Sequence, residues 1–581
     1  MHSQRAYFVR FCHIAALGVV LTPAHGCSGR ISAPYSDDSA PSQVTGPAAV
    51  SGSGAAGNAS SASAAAAGSS SGTSAAAGAG AQPADTGMLP ARIRRLTDAE
   101  FDTSVKDLLG MDSTFGASFT PDTRQDGFTR NDAQRVDPVF ITQLDAAAKS
   151  LASQVNVDQI APCANATDAT ASQMCARTFL KTFATKAYRR PASDAEVDAL
   201  MTVYGAGADG ATYADGIQLA VQAVLESPGF LYTTEIDPTL DDYEIASAIS
   251  YLVTGAPPDQ DLLKSAANGE LHDAAVRGKH VDRLLMTDAA SKQIVRQVEE
   301  WLGIDRITET AKDSTVYPDY AGLRDAMKHE ADAFVSDVMW KGSTGVSELM
   351  SADWTPAEDS LARMYLGDGQ QPQRTDDRVS LTSVRRRGIL NQGAFLSVYA
   401  HAQETAPVLR GVAVLRRVAC IDIPAPSSLN INIVPPVADP QKTTRERFAI
   451  HSQDPACAAC HTKIDAIGFT FEGLDGMGKA RTTENGKPID SSTMLAGGLS
   501  FDGSYPDAAA LAMQIATSSE LQQCFARKLF HSAAARDTSS EKTEAAFMAQ
   551  VGALPAASQG KFADVLRAFV SSDLFIQRSM E

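Results

Sequence analysis

TDAEFDTSVKDLLG (residues 97–110) contains the signals from which the fold class of this chain follows. Thr97 and Glu100 have the spacing of a capping box, in which each side chain binds the backbone N–H of the other residue at a helix start. The apolar residues that follow recur every three or four positions until Gly110, a common helix-ending residue. The segment therefore predicts one amphipathic α-helix.

The same pattern recurs through the rest of the chain. Ser193 and Glu196 form a second capping box ahead of apolar residues at helical spacing. Similar spacing predicts further helices over residues 216–227, 244–253, 276–286, 291–302 and 323–340. Alternating strand patterns are scarce, with one suggestion over residues 429–434. We therefore predict a mainly α fold, built as a multi-unit helical array.

The N-terminal segment has the features of an export signal. Arg5 and Arg10 precede an apolar run that is too short to span a bilayer, so residues 1–26 are predicted to be a signal peptide. The run ends at AHGC (residues 24–27), which resembles a bacterial lipobox with Cys27 as the lipidated residue. We expect an exported protein, lipid-anchored in the outer membrane, at the cell surface or in the periplasm of a Gram-negative-type bacterium. Ordinary secretion is the alternative.

Residues 27–88 consist mainly of Ser, Ala and Gly, with almost no large apolar residue. Such a segment cannot bury enough surface to offset the entropy lost on ordering. It is therefore predicted to be a disordered tether between the lipid and the folded part.

CAACH (residues 457–461) is the motif that carries chemistry. Two thiols three positions apart on a helical turn reach the two vinyl groups of one porphyrin edge, and the adjacent histidine then ligates the iron. A zinc site would need a second ligand pair, and a redox dithiol would need a βαβ context. We therefore predict one covalent haem c on Cys457 and Cys460, with His461 as the proximal axial ligand.

The residues around the motif do not decide which side chain is the second axial ligand of the iron. His451 precedes the motif, and Met477 follows it in a Gly-rich stretch. Met494 and Met513 lie further downstream, and His401 lies further upstream. Each of these residues also has an ordinary interpretation as core filler or as a surface residue. A five-coordinate iron would permit small-molecule or peroxide chemistry.

The eight cysteines can all be assigned. Cys12 lies in the signal, Cys27 is the lipid site, and two cysteines bind haem. Four cysteines remain, namely Cys163, Cys175, Cys420 and Cys524. An even number is what two disulfides require, and an oxidising compartment favours disulfides. We predict a Cys163–Cys175 disulfide that closes a short loop and a Cys420–Cys524 disulfide that joins the segment before the haem motif to the last helical segment. Buried free thiols are the alternative.

Residues 451–478 read H-x5-CAACH-x3-DAIGF-x-FE-x2-DG-x-G. This pattern resembles the cytochrome module of the planctomycete- and myxobacterial-type multidomain surface cytochromes c, in which the module is embedded among four helical domains of unknown function. Further matches follow in the order of that family, namely RRLT at 94–97, YRRP at 188–191, RGIL at 387–390 and the CFARKL segment at 524–529. The resemblance places His451 first among the distal ligands, ahead of Met477. It implies no substrate.

Together these features predict the domain organisation. The predicted units are a signal peptide (1–26), a tether (27–88), helical domains 1 to 3 (89–160, 161–235 and 236–370), a cytochrome c-like haem module (380–482) and a C-terminal helical domain (483–581).

Three groups of charged residues are predicted to be ordinary surface. The three arginines at residues 385–387 are expected to form a solvated patch. A helix that carries His329, Glu330 and Asp332 is expected to present an exposed charged face rather than a metal site. His531 is expected to lie on the surface as well.

The formal net charge of −18 disfavours nucleic acid as a partner, because phosphate contacts need a basic surface. One haem and an acidic exterior favour electron transfer with a redox partner protein of unknown identity. A haem-dependent oxidoreductase with its substrate in the helical domains is the first alternative, since those domains exceed what a carrier needs. A surface scaffold with a structural haem is the second alternative. Whether the chain is an enzyme is left open.

Overall fold

A computed structural model describes residues 87–367, 369–424, 439–449, 455–535 and 541–580, with the exception of the Ala456 side chain. The predicted signal peptide, the Cys27 lipid site and nearly all of the tether lie outside the described residues, as do His451 and the suggested strand at 429–434. The described residues are mainly helical, which confirms the predicted fold class. None of the described helices is both long and apolar enough to cross a bilayer.

The first part of the fold contains seven α-helices, one 3-10 helix (Phe115–Ser118) and three short strands among the described residues. The α-helices and strands are β1 (Leu89–Pro90), β2 (Arg92–Arg95), α1 (Asp98–Leu109), α2 (Pro138–Gln154), α3 (Val157–Ile160), α4 (Ala169–Tyr188), α5 (Asp194–Ala208), α6 (Tyr213–Leu225), α7 (Pro228–Leu231) and β3 (Tyr232–Glu235). Strands β2 and β3 pair in antiparallel fashion.

The middle part runs up to the segment that carries the haem motif. Its elements are α8 (Asp242–Thr254), α9 (Gln260–Ala267), α10 (Ala274–Leu285), α11 (Asp288–Leu302), α12 (Tyr320–Val335), α13 (Val346–Ser351), β4 (Trp354–Thr355), α14 (Asp359–Leu366), β5 (Arg374–Thr375), β6 (Arg378–Ser380), α15 (Gly393–Val398) and α16 (Pro407–Ala413). Strands β4, β6 and β5 form a small antiparallel sheet in that order.

The last part contains the motif helix and the C-terminal helices. Its elements are α17 (Thr444–Phe448), α18 (Pro455–Phe469), β7 (Thr483–Glu484), β8 (Lys487–Pro488), β9 (Thr493–Leu495), β10 (Gly503–Tyr505), α19 (Ala508–Ile515), α20 (Ser519–Ala534), α21 (Glu541–Gly552), α22 (Ala556–Gln559), α23 (Phe562–Val570), α24 (Asp573–Ile576) and β11 (Arg578–Ser579). Strand β11 pairs in parallel with β1, so the first and last described strands lie side by side.

Both predicted capping boxes are present. The Thr97 hydroxyl accepts the N–H of Glu100, and the Glu100 carboxylate accepts the N–H of Thr97 at 2.9 Å. Ser193 and Glu196 make the same reciprocal pair at the start of α5. Helix α1 ends at Gly110 with a φ of 69°, a left-handed conformation that glycine adopts without steric cost.

Buried apolar side chains form two clusters. The smaller cluster lies within residues 101–231, and the larger combines Leu89 and Phe128 with residues 240–576. Leu180 in the smaller cluster and Phe530 in the larger one are fully removed from solvent. Each such side chain contributes about 1.5–3 kcal/mol to folding. The boundaries predicted for the separate domains stay predictions.

Two residues that the sequence placed on the surface are buried. Arg386 is 1% exposed and donates a hydrogen bond to the carbonyl oxygen of Gly478, whereas Arg387 is half-buried and Arg385 is exposed. His531 is 9% exposed and lies between Asp126, 2.7 Å from Nδ1, and Glu544, 3.0 Å from Nε2. The predictions were wrong because Gly478 and Asp126, which help to bury these side chains, lie far from them in the sequence.

The charged face predicted on helix α12 is also only partly exposed. His329 lies at the surface beside Glu358, as expected. Glu330 is 2% exposed and accepts hydrogen bonds from the hydroxyls of Thr355 and Tyr365. Burial raises the pKa of Glu330 to about 7, although both hydroxyls oppose the rise.

Candidate functional site

Helix α18 carries the CAACH motif from its first turn. Pro455 opens the helix, where its fixed φ suits the first helical position. Cys457 and Cys460 follow three residues apart, and residues at this spacing lie on one face of a helix. Both cysteines are half-buried, and neither belongs to a disulfide. The helix therefore presents two thiols side by side at its N-terminal end.

His461 lies one turn after Cys457 on the same helix, and its imidazole is held by Asp465. The distance between His461 Nδ1 and Asp465 Oδ1 is 2.9 Å. The histidine side chain is 21% exposed, and the aspartate side chain is 9% exposed. When Nδ1–H donates to the carboxylate, the lone pair resides on Nε2, the nitrogen that can bind a metal. Carboxylates commonly orient metal-binding histidines in this way.

Helix α16 fixes the position of helix α18 through two glycines. A β-carbon on Gly411 would overlap the carbonyl oxygen of Ile464, and one on Gly468 would overlap the carbonyl oxygen of Pro407. The two backbones therefore touch directly, with no side chain between them. Such contacts leave little freedom to shift the motif helix along its neighbour.

Arg410 ties the loop that follows helix α18 to the rest of the fold. Its guanidinium is fully buried and donates to four carbonyl oxygens at 2.7–3.2 Å, those of Leu396, Phe471, Leu474 and Asp475. Burial lowers the pKa of Arg410 to about 10. Arg386 holds the same loop through the carbonyl of Gly478. Buried arginines therefore fix the Gly-rich stretch at both of its ends.

The candidates for the second axial ligand differ in their surroundings. Met477 is 5% exposed, whereas Met494 and Met513 are 68% and 49% exposed. His401 is exposed, and His451 lies outside the described residues. The identity of the second ligand stays a prediction.

Met477 lines an open cleft of about 590 Å³. The start of helix α12, the end of helix α14 and the loop after α14 form most of its walls. Arg363 and Lys479 supply positive charges, Asp319 supplies a negative charge, and Gln370 and Gln371 supply amides. A cleft of this size lies within the range of small-molecule sites.

The chemistry of the donor set suits covalent haem better than zinc. Structural zinc sites use four ligands whose donor atoms converge. Among the described residues, the acidic and thiol or imidazole groups that converge in this way are Asp237, Asp241 and Glu244, at the start of helix α8. Cys457, Cys460 and His461 belong to no such convergent group in the described part of the chain. Two thiols on one helical face with an oriented imidazole are what thioether attachment and iron ligation require.

The structure contains both disulfides that the sequence predicted. Cys163 pairs with Cys175, with a Cα–Cα distance of 5.7 Å, and Cys420 pairs with Cys524, at 5.2 Å. The second disulfide joins the segment after helix α16 to helix α20. Stable disulfides are typical of exported proteins.

The roles of Asp465 and of the two buried arginines were not predicted from the sequence. Asp465 is four residues after His461, so helical spacing alone was enough to suggest their contact. Arg386 and Arg410 carried no comparable local signal, because their carbonyl acceptors become neighbours only in the folded chain.

Four family models match separate segments of the chain. Residues 94–157, 175–235, 240–366 and 386–484 each match a "Protein of unknown function", with the designations DUF1587, DUF1595, DUF1592 and DUF1588. These families are typical of planctomycete cytochrome c-like multidomain proteins, and the last carries the label PSCyt3, which associates residues 386–484 with a cytochrome. No curated protein and no solved structure matches the chain.

Proposed function

We propose that the chain is an exported c-type cytochrome that transfers electrons at the cell surface or in the periplasm. One haem is attached through thioether bonds to Cys457 and Cys460, and His461 is its proximal ligand. The observation that carries this proposal is the arrangement of side chains on one face of helix α18. Two half-buried thiols lie there beside an imidazole that Asp465 orients. The PSCyt3 match and the two disulfides support it.

The chain's own residues explain how such a group would be held. Cys457 and Cys460 would hold the haem covalently, and His461 would bind its iron through Nε2. The backbone contact of Gly411 with Ile464 keeps that helix in place. His451 is proposed as the distal ligand, with Met477 as the alternative. When bound, the haem supplies a one-electron couple whose potential depends on these ligands.

The surface charge supports transient association with a redox partner protein. A formal net charge of −18 attracts a basic partner and speeds the encounter at low ionic strength. A lipid on Cys27 and the tether after it would hold the folded part near a membrane while leaving it free to meet that partner.

The decisive experiment is expression in a host with haem-maturation machinery, followed by a pyridine haemochrome assay. The wild-type protein is expected to carry one covalent haem, and the Cys457→Ala/Cys460→Ala variant none. Cys163→Ala/Cys175→Ala is the matched control, since it also removes two cysteines and is expected to retain haem. A folded wild-type protein without covalent haem would refute the proposal.

A second experiment addresses the distal ligand. The ferric wild-type protein is expected to be six-coordinate and low-spin, and His451→Ala is expected to change its spectrum. Met477→Ala is the matched variant, and an effect of that variant alone would assign the methionine instead.

The cleft beside Met477 favours an oxidoreductase as the second candidate function. Its volume of about 590 Å³ and its mixture of charged and amide side chains suit a small polar substrate. The same ferric spectrum separates the two functions. A high-spin spectrum, which indicates an open coordination position, would favour the oxidoreductase.

A further inference from the structure

We infer that Asp465 is the positioning residue of the axial histidine, and that its charge lowers the reduction potential of the site. This inference rests on the proposed function, because it concerns the haem that His461 is proposed to ligate. Under this inference a residue outside the CAACH motif helps to set the reduction potential of the haem.

The geometry shows a direct contact. Asp465 Oδ1 lies 2.9 Å from His461 Nδ1, within the range of a charge-assisted hydrogen bond. Both residues belong to helix α18, one turn apart, so the helix places their side chains on the same face. Ile464, the residue before Asp465, is held against Gly411 of helix α16. The carboxylate therefore sits beside a backbone contact that holds the motif helix in place.

The burial of Asp465 makes the contact stronger than a surface pair. The residue is 6% exposed, so little water competes for its carboxylate. In the described part of the chain no lysine or arginine forms an ion pair with Asp465, whose carboxylate instead contacts the imidazole of His461. The negative charge is thus directed at the imidazole rather than neutralised by a cation.

Two chemical consequences follow for His461. First, an acceptor at Nδ1 fixes the tautomer with the proton on Nδ1 and the metal-binding lone pair on Nε2. Second, a charged acceptor makes the imidazole a stronger electron donor than a neutral amide or carbonyl does. A stronger donor stabilises the ferric state over the ferrous state, and this lowers the reduction potential.

The test compares Asp465→Asn with the wild-type holoprotein by spectroelectrochemical titration. Asparagine retains the size and an accepting oxygen but removes the charge. We expect the ferric-to-ferrous equilibrium to shift about tenfold toward the ferrous state, which is a rise of about 59 mV for one electron. The covalent haem content and the thermal unfolding midpoint are expected to stay close to those of the wild type.

Glu472→Gln is the matched control. Glu472 is also buried close to the end of helix α18, but its carboxylate binds Arg481 and Thr405 rather than the histidine. A specific role of Asp465 predicts a clearly smaller shift in this control. Equal shifts in the two variants, or an unchanged potential in Asp465→Asn, would overturn the inference.

A measurement on the haem-free protein guards against a variant that fails to load haem. In ¹⁵N spectra of the Cys457→Ala/Cys460→Ala protein, the His461 ring is expected in the Nδ1–H tautomer, and Asp465→Ala is expected to abolish that preference. An Nε2–H tautomer in the parent protein overturns the positioning role. A wild-type protein without covalent haem, detected by the haemochrome assay, overturns the proposed function and this inference together.

Discussion

A β-carbon on Gly411 would overlap the backbone carbonyl oxygen of Ile464, so helices α16 and α18 touch backbone to backbone beside the motif. We predict that Gly411→Ala forces the helices apart and lowers the free energy of unfolding by about 1–3 kcal/mol. Haem incorporation is expected to fall with it. Gly205→Ala is the control, because open space surrounds that helical glycine, and it is expected to be neutral or stabilising. Urea unfolding of the two variants decides the prediction.

The two disulfides are expected to differ in their effect on stability. Cys420–Cys524 closes a separation of 104 residues, and Cys163–Cys175 closes one of 12. Loop entropy predicts losses of about 5 kcal/mol and about 3 kcal/mol when the respective pairs are replaced by alanine. Chemical unfolding of both double variants measures the difference. Equal losses would show that strain or structure in the unfolded chain outweighs loop length.

The imidazole of His531 is predicted to make stability depend on pH. Burial opposes its charged form, but the hydrogen bonds to Asp126 and Glu544 outweigh burial and raise its pKa above the usual value of about 6.5. The stabilisation is therefore complete below about pH 6.5 and is lost as the pH rises through the raised folded-state pKa.

Replacement of His531 by Gln tests this dependence. The variant is expected to lose about 2 kcal/mol of stability relative to wild type at pH 5.5, and less at pH 9. His329→Gln serves as the control, because His329 forms an exposed pair with Glu358 and is expected to have little effect at any pH. A loss that is constant from pH 5.5 to 9 would contradict the prediction.

Glu330 is predicted to contribute a pH dependence in the acid range. Burial raises its pKa from 4.5 to about 7, so the folded protein binds a proton that the unfolded chain releases between these values. Stability then falls as the pH rises from about 4.5 to about 7, by about 3 kcal/mol. Glu330→Gln removes the titration. The stability of wild type relative to this variant should decline over that window and be level above it.

Much of the fold followed from local sequence signals. The capping boxes at Thr97 and Ser193 marked helix starts correctly, since both partners lie within four residues of each other. The helix predicted over 291–302 is observed as Asp288–Leu302, and the one over 323–340 begins at Tyr320. Periodicity located these helices to within a few residues, because amphipathic spacing reflects burial along the element itself.

The buried polar contacts did not follow from the sequence. Asp126 and His531 are 405 residues apart, and Arg386 lies 92 residues before Gly478. Neither separation leaves a local pattern, because these contacts depend on how distant helices pack. The CAACH residues could be proposed as the haem site from the sequence because thioether attachment requires one fixed local spacing. Asp465 lay within reach of the same reasoning, one helical turn beyond His461.

The Cys420–Cys524 bond bears on the biogenesis of the protein. The loop that it closes contains Cys457 and Cys460, which would have to stay reduced until they attack the vinyl groups of the proposed haem. Four thiols within about a hundred residues would then meet oxidants and haem in the same compartment, where thiol–disulfide exchange can connect them all. Maturation would require that one pair be oxidised while the other is protected. The yield of finished protein would therefore depend on reductant supply and on the timing of haem delivery as much as on haem itself.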